Sequence, residues 1–248
     1  MFLSTRSPLT LLLAAALGCG APTAVLAQDA AVKPIPLFAP GTRVLFQGDS
    51  ITDGNRGRTP DPNHILGHGY VFLIAARHGA AFPERKLEFL NRGISGHTTA
   101  DLQQRWQADT LDLKPDVLSI LVGANDSTKQ VPIDQYERNY EQLLASAKAA
   151  NPRIRLVLCQ PFVFPGGRKL AQFAVWQEDI RQRQQVVTRL AAKYGAVIVD
   201  FQAALDAACQ RAPLEHWVWD GVHPTYSGHQ ILADAWERAV AAVPTAQP

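Results

Sequence analysis

Five short apolar runs punctuate the chain, at Arg43 to Gln47, Leu87 to Asn91, Val117 to Val122, Ile154 to Cys159 and Ala196 to Asp200. Each is rich in Val, Ile, Leu and Phe, and none alternates strictly with polar residues. Runs of this kind suit strands buried on both faces. Helix-like segments lie between them, at Gly69 to Gly79, Thr99 to Leu111, Asp134 to Ala150 and Arg168 to Tyr194. In the third, Tyr136, Tyr140, Leu143, Leu144 and Ala147 recur at helical spacing and outline a packed face. Ile231, Leu232, Ala235, Trp236 and Val240 do the same in a last helix, Gly228 to Val240. Strands alternating with helices predict an α/β fold: a parallel sheet covered on both faces, with right-handed crossovers.

In such a sheet the turns that follow the strands share the carboxyl edge, where open α/β folds place their sites. Here those turns are polar and glycine-rich. Gly48-Asp49-Ser50 follows the first strand, Asn91-Arg92-Gly93-Ile94-Ser95-Gly96 the second, Gly123-Ala124-Asn125-Asp126 the third and Gln160-Pro161-Phe162 the fourth.

The N-terminus changes where the folded domain begins. Met1 to Ala27 carries one charge, Arg6, an apolar stretch Leu9 to Leu17, and small residues before Gln28, the pattern of a secretory signal. The stretch is too short, and too broken by Gly18, Gly20 and Pro22, to span a membrane. Ala16-Leu17-Gly18 ahead of Cys19 fits a lipid-anchoring signal poorly, so a secreted or periplasmic protein is expected. Gln28 to Pro40, with Pro34, Pro36 and Pro40, reads as an extended leader. The folded domain is then expected over 41–243, with 244–248 as a tail. Removing Arg6 with the signal takes the net charge from +2 to +1, which leaves no electrostatic footprint for nucleic acid or an anionic membrane. Two cysteines remain, Cys159 and Cys209. An exported chain matures where disulfides persist, so a bridge between them and a pair of buried free thiols are both open.

A serine hydroxyl becomes a competent nucleophile when a base takes its proton, and that base works best when a carboxylate orients it. Ser50 sits at a strand end. Near the C-terminus, "WDGVHP" supplies Asp220 and His223 three residues apart, in a loop because Pro224 keeps His223 out of helical dihedrals. Acyl transfer also needs donors for the oxyanion. The backbone N–H groups of Ser50 and Gly96 and the side-chain amide of Asn125 are the candidates. Each has an ordinary alternative as a cap or turn residue. Trp219, beside Asp220, has two open roles: a core indole that anchors the Asp–His loop, or a wall or platform of the acyl site. If Trp217-Val218-Trp219 is extended, the two indoles share one face.

GDSITD (48–53), NRGISGHT (91–98), GAND (123–126) and WDGVHP (219–224) resemble, in order, the four signature blocks of the SGNH hydrolases, also called GDSL esterases. The resemblance implies a three-layer α/β/α sandwich with a five-stranded parallel sheet in flavodoxin-like order. It also implies Ser50 as nucleophile, Asp220 and His223 as the rest of a triad, and Ser50, Gly96 and Asn125 as an oxyanion hole, with no metal or other cofactor. Gly67-His68-Gly69-Tyr70-Val71, Asp101-Leu102 with Arg105-Trp106, and Trp219 before Asp220 look most like the carbohydrate acetylesterase branch, acetylxylan esterases included. Tyr70 and Trp106 are themselves expected to be packing residues.

The expected substrate is therefore a short-chain, acetyl-type ester of a sugar or other alcohol. No long apolar insertion offers a lipase lid, which disfavours a lysophospholipase or thioesterase. A non-catalytic glycan-binding module would leave the Ser50, Asp220 and His223 set unexplained. A metal-dependent deacetylase would need ligand spacing that His64, His68, His78, His97, His216 and His229 do not show. Oligomeric state is not encoded in these patterns.

Overall fold

Strands β1 (Arg43–Gly48), β2 (Glu88–Asn91), β3 (Val117–Leu121), β4 (Arg155–Cys159) and β5 (Val197–Val199) form one parallel sheet in the order β2-β1-β3-β4-β5. The coordinates are a computed structural model that describes residues 32–243. Gly48 pairs with Leu121, Leu121 with Cys159, and Cys159 with Val199, so the carboxyl ends of four strands finish level. Among the described residues the α-helices are α1 (Ser50–Asp53), α2 (Tyr70–Ala81), α3 (Thr99–Trp106), α4 (Ala124–Thr128), α5 (Ile133–Ala150), α6 (Phe173–Tyr194), α7 (Phe201–Cys209) and α8 (Tyr226–Ala241).

The strands divide their residues between two cores by simple alternation. Val44, Phe46, Val117, Leu121, Val157 and Cys159 pack with residues of α2, α7 and α8. Leu45, Leu118, Ile120, Leu156 and Leu158 pack with α3, α5 and α6. Both faces are apolar, so the alternation is invisible as a hydropathy pattern, and the runs read as continuous. The three-layer sandwich and its flavodoxin-like strand order match the expectation. Tyr70 and Trp106 are both buried, the first in the α2/α7/α8 core and the second in the other.

Boundaries differ where local geometry intervenes. The segment between β2 and β3 stops being an α-helix at Trp106 and continues as a π-turn over Gln107–Leu111. There the Gln47 amide, at the end of β1, donates to the Asp109 carbonyl (2.7 Å) and to Thr110 Oγ1 (2.8 Å). Residues 167–172 form a 3₁₀ turn rather than the start of α6.

One expectation is corrected, and one open choice is resolved. The described part of the leader is not a free extended segment: Ile35 and Phe38 are buried in the α2/α8 core. The Phe38 ring stands edge-on to His78 (centroids 5.1 Å apart) and Phe89 (5.7 Å), and tilts against Trp236. Its prolines preset an extended backbone, but the apolar residues between them have a core to enter. The expected signal segment, 1–27, lies outside the described residues. Of the two alternatives for the cysteines, the structure has free thiols. Cys159 is buried at the end of β4, next to Ser119 Oγ (3.7 Å), and burial pushes its thiol up to about 12. Cys209 closes α7, and a nine-residue helix carries the chain about 13 Å from the strand end where it starts.

Phe38→Ala is expected to cost about 3–5 kcal/mol of stability, as for other buried Phe truncations. Urea unfolding of the purified variant measures this. Unchanged stability would return the segment to the status of a leader.

Candidate active site

The strand order reverses between β1 and β3. The chain leaving β1 crosses to β2 on one side, and the chain leaving β3 crosses to β4 on the other, which opens a crevice at their carboxyl ends. Ser50 and Asn125 lie at that crevice, each in the first turn of the short helix that follows its strand. Gly48 makes the first turn possible: a Cβ there would collide with the Leu121 carbonyl and with Thr52 Oγ1. Asp49 then caps α1, its Oδ1 accepting the Ile51 N–H at 3.1 Å.

Ser50 Oγ lies 2.8 Å from His223 Nε2, and His223 Nδ1 lies 2.8 Å from Asp220 Oδ2. The other carboxylate oxygen, Oδ1, accepts the N–H groups of Val222 (3.0 Å) and His223 (2.7 Å). One side chain thus orients the imidazole and shapes the loop that carries it. Burial raises the Asp220 pKa, but the bonds from the His223 backbone and ring and from Val222 outweigh it, and the net shift is downward. The loop is closed by a bridge between Val218 and Pro224 and by the Trp219 N–H donating to the His223 carbonyl (3.2 Å).

Gly96 sits in the turn after β2 at φ +82°, a conformation that glycine adopts without strain. Two buried carboxylates grip that turn. Asp53, on the same short helix as Ser50, accepts the Ser95 N–H (3.0 Å) and hydroxyl (2.9 Å), and it receives Arg58 through two bonds of 3.0 and 2.8 Å. Burial pushes its pKa up, but the bonds from Arg58 and Ser95 prevail and lower it. Asp126, after β3, accepts the Thr99 N–H and hydroxyl, the latter at 2.6 Å; burial raises its pKa. The Asn125 amide donates to the His97 carbonyl at 3.1 Å, which leaves its second N–H for a ligand. Among the described residues, neither the Ser50 nor the Gly96 N–H has a protein acceptor.

The five polar residues expected at the site, Ser50, Gly96, Asn125, Asp220 and His223, are therefore brought to one edge. Trp219 is different. It is 65% exposed, so the core-anchor role is overturned; Trp217 and Val218 are the buried pair. Trp217 ends a 3₁₀ turn with helical dihedrals, so strand alternation does not run through 217–219. The Trp219 ring instead lies near-parallel to His223, with centroids 6.3 Å apart. A cavity of about 490 Å³ opens here, walled by Ser50, Asn125, Lys169, Trp176, Trp219 and His223. Sequence reasoning missed Lys169 and Trp176, which no local motif marks. It also missed Asp53 and Asp126, although both stand inside the quoted blocks. A larger hollow of about 620 Å³ near Pro115 and Arg153 lies at the opposite edge of the sheet and holds no such constellation. No group of three or more His, Cys, Asp or Glu among the described residues is arranged to hold a metal.

Asp49 makes its own test. It is fully buried and its Oδ2 has no partner among the described residues; burial raises its pKa from 3.8 to about 7. The folded state thus keeps a proton that the unfolded chain releases earlier. Stability from this group is complete below 3.8 and is lost as pH rises through about 7. Asp49→Asn keeps an oxygen for the cap and cannot ionise. The stability of wild type relative to this variant is expected to fall across that interval in urea unfolding. Parallel pH curves would mean the carboxyl ionises normally.

Comparison with known proteins agrees with this geometry. The GDSL-like Lipase/Acylhydrolase family model matches residues 46–231. The acetylxylan esterase of Geobacillus stearothermophilus is 33% identical over 213 residues, which cover 81% of this chain and 94% of that protein. A crystal structure of that esterase superposes with a TM-score of 0.73, covering 85% of this chain and 98% of the other at 31% identity. An alpha/beta hydrolase enzyme from the metagenome of Lake Arreo, Spain, gives a TM-score of 0.75 at 31% identity, covering 84% of this chain and 99% of that one. The chain belongs to the GDSL-like lipase/acylhydrolase family, and it is a carboxylic ester hydrolase.

Proposed function

We propose that the protein is an exported serine esterase that removes short acyl groups, acetyl first among them, from carbohydrate hydroxyls through an acyl-enzyme on Ser50. The observation that carries the mechanism is the continuous hydrogen-bond chain from Ser50 through His223 to Asp220. His223 takes the Ser50 proton as Oγ attacks the ester carbonyl. The oxyanion is met by the N–H groups of Ser50 and Gly96 and by the free N–H of Asn125. His223 then returns the proton to the leaving sugar hydroxyl, while Asp220 holds the ring and stabilises its charged form. Water repeats the sequence on the acyl-enzyme and releases the acid.

The carbohydrate part of the reading is supported by the acetylxylan esterase from Geobacillus, whose structurally described catalytic mutants replace a serine and an aspartate with alanine. It is supported too by the exposed Trp219 indole at the cavity mouth, since a flat apolar ring beside the base suits a sugar face. Export rests on the signal pattern of Met1 to Ala27.

Ser50→Ala is expected to lower kcat on p-nitrophenyl acetate and on acetylated xylan by several orders of magnitude, with the melting temperature unchanged. Near-wild-type turnover would falsify the serine mechanism. Asn125→Ala should cost about 10²–10³ in kcat, as loss of one oxyanion donor does. For Asp53, the reading concerns position rather than chemistry. Asp53→Ala frees the Gly96 turn and is expected to lower kcat by about 10², the scale of a misplacement near 1 Å, with KM nearly constant. Asp53→Asn, which can still accept from Ser95, should recover much of the loss. A defect in KM alone, or equal losses in both variants, would remove Asp53 from the oxyanion side of the reaction.

A further inference from the structure

Two of the residues lining the cavity, Arg168 and Lys169, are cations with no ion-pair partner among the described residues. Lys169 belongs to the 3₁₀ turn over Gly167–Gln172 and is half-buried, and Arg168 beside it is exposed. Lys169 Nζ donates to Thr128 Oγ1 at 3.0 Å and lies 3.2 Å from the centre of the Trp176 ring. The ammonium is therefore fixed in place by a neutral acceptor and an aromatic face, with a donor left over. Among the described residues, neither Lys169 nor Arg168 forms an ion pair. The carboxylates whose charge reaches Lys169 are Asp179 and Asp220, and both are engaged: Asp179 holds Arg183 at 2.8 Å, and Asp220 holds His223. Burial, followed by the like charge of Arg168, lowers the Lys169 pKa.

A half-desolvated ammonium held rigid without a counter-ion is a costly arrangement unless an anion completes it. The same cavity is walled by Ser50 and His223, so an anion at Lys169 would be part of the molecule being cleaved. Lys169 also covers the Trp176 face, which leaves the exposed Trp219, and not Trp176, as the stacking surface for a neutral sugar.

We propose that Lys169, supported by Arg168, binds a carboxylate carried by the ester substrate, so that the enzyme selects acidic esters such as acetylated uronic-acid-bearing glycans. This inference rests on the esterase reading of the same site. The carboxylate belongs either to the sugar that leaves or to the acyl group that stays, and paired substrates separate the two. An acetylated methyl glucuronoside is compared with the equally acetylated methyl glucoside. An O-succinyl methyl xyloside is compared with its O-butyryl counterpart.

For one pair, wild type is expected to favour the acidic member by about tenfold in kcat/KM, the scale of one charge-assisted contact in a partly desolvated site. Lys169→Met keeps an apolar stem over Trp176 and removes the charge; it should bring that ratio close to one. Lys169→Arg should retain the preference, and Arg168→Gln should weaken it. The pair that responds assigns the carboxylate to the sugar or to the acyl group. Turnover of all four esters with no preference, or a preference untouched in Lys169→Met, overturns the inference and leaves the esterase reading standing. No turnover of any of the four sinks both.

Discussion

The site depends on how one turn is held. A backbone N–H can stabilise an oxyanion only from about 2.7–3.1 Å, and the turn that carries Gly96 projects beyond the sheet, where strand pairing no longer fixes it. Two buried acids do that work. Asp53 reaches the turn from the helix of the nucleophile and Asp126 from the turn after β3, gripping it at Ser95 and Thr99 on either side of the glycine. Burying a carboxylate is expensive unless its oxygens are occupied. Asp53 meets this with Arg58 and Ser95, and Asp126 with the two donors of Thr99. The grip also ties together the three segments that carry Ser50, Gly96 and Asn125.

The fold beneath was legible because burial on both sheet faces leaves a distinctive mark: short runs of β-branched and large apolar residues at regular intervals, separated by longer helical periods. What local pattern could not convey was where a segment finds its partners. The leader looked extended because its prolines are extended. Phe38 enters the core only because Phe89, His78 and Trp236, from three distant parts of the chain, leave a place for it. Trp219 misled for a related reason. Alternation assumes a strand, and the 3₁₀ turn at 214–216 rotates Trp217 inward and lets Trp219 emerge.

The site divides along the same line. Ser50, Gly96, Asn125, Asp220 and His223 were readable because strand ends, a proline and a three-residue spacing constrain them locally, and because their blocks resemble a known family. Asp53 and Asp126 stood in plain view, yet their roles depend on hydrogen bonds spanning 42 and 27 residues. Lys169, in the turn before α6, and Trp176, in the first turn of α6, line the cavity beside Ser50, and no spacing rule connects them to it.

The triad pairs a serine with a histidine 173 residues further along the chain. His223 is carried at the entrance to α8, whose Trp236 is fully buried and donates to Ser119 Oγ at 2.9 Å. As a polypeptide grows from its N-terminus, the serine and the acids that organise its surroundings are made early, while the base comes with the last helix. Until that segment is in place, Ser50 Oγ lacks the imidazole that lies 2.8 Å from it in the folded chain. The order of residues therefore separates them in time: a chain still being synthesised carries Ser50 well before the histidine and aspartate that hydrogen-bond in line with it. The Ser50–His223–Asp220 hydrogen-bond chain is thus completed only by the C-terminal part of the fold, which also contributes Trp236 to the core.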